Sequence, residues 1–156
     1  MIPRLALNTA ALIALTSSTA CFAQNKADHG YWRASSNTAA SITGDIEITD
    51  AKIVINFTGF EIVPARTLNP AEVSAAFDAD VNAGGTGTLY HLSIPAAKRF
   101  LHRNTLCGTE DTQWIATFVS GSTLQLAFFS GTMAPVFTID ALANSTDLCG
   151  TYTYVR

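Results

Sequence analysis

Three histidines, twelve carboxylates and three cysteines are the side chains from which this chain would build catalysis or a metal site. His29, His91 and His102 fall in three unrelated segments and lack the spacing that gathers ligands on one helix face. Asp78-Ala79-Asp80 offers two carboxylates without the remaining positions of a calcium loop. There is no G-x-S-x-G elbow, and Ser120, Ser122 and Ser130 sit beside glycines in turn-like sequence. Gly84-Gly85-Thr86-Gly87 is not followed by the Lys-Ser/Thr of a phosphate loop and reads as a turn before a strand. Asp45, Glu47 and Glu61 are the strand carboxylates that would serve an acid–base pair, with His91 in a barrel mouth as another group. A retaining glycosidase wants two carboxyls about 5 Å apart. These three alternate with apolar residues, which turns them towards solvent. No catalytic group, metal or cofactor is expected.

Two clusters remain. Lys98-Arg99-Phe100-Leu101-His102-Arg103 gathers three of the nine Lys and Arg of the chain and one histidine. A helical turn would place Lys98 with His102 and Arg99 with Arg103, and Phe100 and Leu101 would anchor it. That surface suits an anion or a partner, such as acidic lipid head groups or a polysaccharide phosphate; the plainer reading is a solvated face. Tyr31 and Trp32 form an aromatic pair suited to a contact at a rim.

Residues 1–23 have the order of a signal peptide. Arg4 is followed by an apolar stretch from Leu5 to Leu15, broken only by Asn8 and Thr9, and then by small residues up to Ala23. The stretch falls short of the roughly 20 residues that span a bilayer, so no transmembrane span is expected. Acylation at Cys21 is the alternative processing route. Either route leaves Cys107 and Cys149, each within Leu-Cys-Gly, to pair in an oxidising compartment. The net charge of −3 gives no basic face for nucleic acid. Asn56-Phe57-Thr58 and Asn144-Ser145-Thr146 match the glycosylation triplet, but the short, weakly charged leader reads as bacterial.

The elements that must position these residues are β-strands. Residues 24–39 read as a lead-in and 40–156 as one β-rich domain. Ile42, Gly44, Ile46 and Ile48 alternate with polar residues, and Ile53, Ile55 and Phe57 keep the same period of two, which predicts a hairpin around Asp50-Ala51. Phe60 to Ala65 is a third strand closed by Pro64. Asn69-Pro70-Ala71-Glu72 has the form of a helix start. Leu89–Ile94, Thr112–Val119, Thr123–Ser130, Val136–Ile139 and Thr151–Val155 complete the strands, and Trp114, Ala116 and Phe118 share a face directed to the core. About seven short strands with one or two short helices predict an all-β, antiparallel barrel or sandwich with one disulfide. In strand rhythm, disulfide and leader the chain is similar to small bacterial periplasmic barrels, a group that includes lysozyme inhibitors and META-like domains. No motif of either family is present, so no functional residue is carried over.

The expected function is that of a non-enzymatic binding module, periplasmic or secreted and monomeric. Its partner would be a protein or a cell-envelope component, in the manner of an inhibitor. The alternatives are a small carboxylate-dependent hydrolase and a structural envelope protein without a soluble ligand.

Overall fold

The computed structural model describes residues 26–82 and 84–156; the leader and Cys21 lie outside them. Alternating isoleucines build the first sheet strands. Ile46 and Ile48 of β2 (Ile46–Ile48) face Ile55 and Ile53 of β3 (Lys52–Ile55), and all four are 2% exposed or less. The remaining strands are β1 (Gly30–Ala34), β4 (Thr58–Leu68), β5 (Thr86–Ile94), β6 (Thr112–Ser120), β7 (Thr123–Phe129) and β8 (Leu148–Val155). Each pairs antiparallel with the next, and β8 returns to β1, closing an eight-stranded barrel. Among the described residues no helix is long and apolar enough to cross a membrane.

Several segments differ from the sequence reading, each for a local reason. The lead-in supplies β1, so the barrel begins before residue 40. Ile42 ends a helix, α1 (Asn37–Ile42), rather than opening a strand. Ser36 caps it, its Oγ accepting from the backbone N–H of both Ala39 and Thr153. β1 reaches β8 only through Arg33 and Ala34, and α1 packs beside that short seam. Phe57 is no strand residue: β3 and β4 are joined by Asn56 and Phe57, both with positive φ, the two-residue turn that suits the twist of a hairpin. Pro64 does not end β4; the register shifts between Pro64 and Arg66, a bulge that tolerates a residue without an N–H. Val136–Ile139 forms no strand and leads into α3 (Ile139–Ala143).

The barrel has a core on each side of its wall. Inside lie Trp32, the isoleucines, Tyr90, Phe128, Tyr152 and Tyr154. Outside, β5–β7 present Leu89, Ala116, Phe118, Ala127 and Phe129. Val73 and Phe77 of α2 (Pro70–Phe77) cover part of that face, Phe77 stacking on Phe118 at 5.9 Å. Phe137, in the chain before α3, meets Phe129 edge-on at 5.8 Å. Trp114 joins Ala116 and Phe118 on this outer core, half-buried, instead of the barrel interior. α2 keeps the predicted start: Asn69 caps it and Glu72 returns the bond, a capping box. The Cys107–Cys149 disulfide ties the long β5–β6 connection to the start of β8.

Candidate functional site

The two ends of the barrel differ in kind. At the end where β1 starts, the interior is sealed by a polar plug. Asp28 is 3% exposed, and its Oδ2 accepts from the Tyr90 hydroxyl at 2.8 Å and the Thr117 hydroxyl at 2.7 Å. The Trp32 indole N–H donates to the Asp28 carbonyl at 2.8 Å, holding the plug to β1. Asp28 Oδ1 and His29 Nε2 are buried without hydrogen bonds and face each other at 3.8 Å. His29 Nδ1 lies 3.6 Å from Asp50. A cleft of about 620 Å³ opens beside Asp28, lined also by Lys26, Arg66 and Thr88. The free carboxylate oxygen is buried, and the bonds made by Asp28 tie the chain before β1 to β5 and β6.

The opposite end carries an exposed rim, beneath which Ala39 of α1 and Phe100 and Leu106 of the β5–β6 connection are packed into the inner core. The rim is made by the link from α1 to β2, the β3–β4 turn and the β5–β6 connection. Phe57, at the tip of the β3–β4 turn, is fully exposed. Its φ of +63° lies in the left-handed region that costs a side chain such as phenylalanine roughly 1–2 kcal/mol. A 3₁₀ turn, Leu101–Arg103, carries a second such pair, His102 at φ +53° and Arg103 at φ +63°. The two turns border one cavity of about 430 Å³, lined by Phe57, Leu101, Tyr31, Val54, Asp45 and Glu47 among others. Lys98 braces the hairpin from behind. Its Nζ donates to Thr58 Oγ1 at 3.0 Å and sits 5.9 Å from the rings of both Phe60 and Phe100.

The basic cluster is thus brought together at the rim, though not as a helix. The left-handed backbone at His102 and Arg103 breaks any helical path, so the pairings Lys98 with His102 and Arg99 with Arg103 do not arise. Arg99 is exposed, its guanidinium donating to the Ala96 carbonyl at 2.8 Å. His102 and Arg103 are exposed as well. The aromatic pair divides. Tyr31 points outward over the cavity and donates to Asp45, while Trp32, one residue on, is wholly buried inside the barrel. That hydrogen bond raises the Tyr31 phenol and, together with one from the Ala34 N–H, holds the Asp45 carboxyl below its usual range.

Of the hydrolase candidates, Asp45 and Glu47 line the rim cavity together, whereas Glu61 and His91 do not join them. Glu47 and Glu61 lie on β2 and β4, two strands apart, hence roughly 10 Å or more at the backbone. Asp45 is stabilised as a carboxylate, which does not suit a general acid. His91 sits on the outer wall, edge-on to Trp114 at 4.9 Å, not in a mouth. Phe57 and the paired left-handed turns were missed in the sequence. Asn-Phe is not a recognised turn pair, and alternation carried one residue too far.

Together these features define an all-β protein, a disulfide-linked eight-stranded barrel with one plugged end and one exposed rim. No family model matches the chain, nor does any curated protein or solved structure.

Proposed function

We propose that this chain is an exported, non-enzymatic binding module that takes a protein or cell-envelope component at its rim. One observation carries the reading. Of the five non-glycine residues with positive φ among the described residues, four stand in the two turns that border the rim cavity. Strain of this kind persists where the surrounding fold over-determines it, and it collects at binding and switch sites. Phe57 adds a second cost, an aromatic ring held wholly in water at the tip of a hairpin. Bracing by Lys98 and the barrel beneath means little ordering is needed on binding, which favours affinity. Export is supported by the leader pattern and by a disulfide, which persists in oxidising compartments.

The test is retention from a detergent-free envelope extract on the oxidised wild-type protein and on its Phe57→Ser variant. A component held by the wild type and lost with the variant is the expected result. Equal retention on both, or none on either, overturns a rim-centred binding function and favours a structural envelope role.

A further inference from the structure

We propose that the partner of the rim is the surface of an anionic phospholipid bilayer; this deepens the binding reading above and rests on it. The argument starts from what protrudes. Phe57 is the apex of a two-residue turn and is convex, with its whole side chain in solvent. A protein partner would have to supply a matching pocket for it, whereas a bilayer admits an isolated apolar side chain at the boundary of head groups and acyl chains. Leu101, half-buried, lines the same cavity as Phe57 and extends the apolar apex.

Charge around the apex points the same way. Lys98, Arg99 and Arg103 lie in the turn facing the hairpin, with His102 among them. Among the described residues, ion pairs involve only His29 and Arg66, so none of these three cations has a carboxylate within pairing distance. Arg66 near the other end shows the contrast, bound by Glu72 through two bonds of 2.8 Å. Unpaired cations beside an exposed aromatic complement anionic head groups above and acyl chains within. A soluble phosphate or polysaccharide would leave Phe57 in water. The net charge of −3 opposes approach of the whole molecule, but the attraction of the rim cations prevails inside a Debye length of about 8 Å. Asp45 and Glu47 line the cavity from the β2 side, so contact runs through the hairpin tip and the 98–103 turn rather than through the cavity floor.

Co-sedimentation of the oxidised protein without its leader, residues 24–156, with vesicles tests this. One set is phosphatidylcholine alone; the other is phosphatidylcholine mixed with phosphatidylglycerol. Binding is expected only to the second, weakening as salt is added. Arg99→Ala and Arg103→Ala should each weaken it about fivefold, and Phe57→Ser about tenfold. Lys26→Ala, which removes a cation from the cleft beside the Asp28 plug at the other end of the barrel, should leave it unchanged. Thermal midpoints and the intact disulfide confirm that the variants are folded; Phe57→Gly, which suits the turn, replaces Phe57→Ser if that variant is unstable. Equal binding to both vesicle types, or binding indifferent to the arginines, overturns the inference. No vesicle binding together with Phe57-dependent retention of an envelope protein overturns the lipid partner and leaves the rim as a protein-binding site. Loss of both results removes both readings.

Discussion

Phe57 is held in a conformation that glycine would adopt without cost, so stability is set against the proposed rim binding at this residue. Phe57→Gly relieves about 1–2 kcal/mol of backbone strain and loses part of it to unfolded-state entropy, for a net gain on the order of 0.5–1 kcal/mol. Urea denaturation should show that gain while rim binding falls. A loss of stability instead would mean that the ring packs onto the chain. Asp28 makes the opposite case. Asp28→Ala strands the Tyr90 and Thr117 hydroxyls inside the barrel and should cost about 2–3 kcal/mol, with Tyr90→Phe costing about 1. A double-mutant cycle should show the two coupled; additive effects would refute the shared bond. Neither residue was legible as special in the sequence. Asp28 sits in a polar stretch that reads as lead-in, and its partners are 62 and 89 residues away. Cys107 and Cys149 were legible, because the compartment expected from the leader pattern and their matching Leu-Cys-Gly contexts leave them one pairing.

Elements are legible where a local signal acts alone, and obscured where two signals overlap. The capping box of α2 is local, and Asn69→Ala should lower stability by about 1 kcal/mol in thermal or urea unfolding. Gly87 on β5 explains why this helix can lie so close: a Cβ there would come within 2.7 Å of Val73 and 3.0 Å of Leu68. Gly87→Ala should therefore cost about 1–3 kcal/mol and loosen α2 in hydrogen exchange; Gly121→Ala, at φ +59° with open space around it, costs backbone strain alone and leaves α2 protected. α1 was hidden because Ile42, Gly44, Ile46 and Ile48 fit a strand by alternation alone. Only Ser36, a cap bonded to both the helix and β8, marks the helix, and half of that bonding is tertiary. The rim turn was located by its charges but not by its shape, since nothing local in Leu101-His102-Arg103 announces left-handed backbone.

At the scale of the molecule, the inner core is unusual for its three fully buried tyrosines. Burial pushes the phenol of Tyr152 up to about 12, and those of Tyr90 and Tyr154 are raised further, also mainly by burial. An unfolded tyrosine ionises near 10, so stability is complete below that pH and is lost as pH rises towards and through 12. The loss should approach about 1.4 kcal/mol per pH unit for each masked tyrosine. Absorbance titration should show Tyr31 ionising first and the other three only with alkaline unfolding; reversible ionisation of all four in the folded state would contradict the packing. Closure by the disulfide spans 42 residues, and replacing both cysteines with serine should cost about 4 kcal/mol. The class of fold was readable from strand rhythm, but barrel closure was not, because it depends on β1 meeting β8 across the length of the chain. The two-sided wall has one more effect. Strands buried on both faces have no use for charge, and from Thr112 to Ile139 the chain contains no Asp, Glu, Lys or Arg. Before closure this uncharged, β-forming stretch has no gatekeeper against self-association, so refolding yield should fall steeply with protein concentration and the nascent chain would be most exposed to aggregation until β8 arrives.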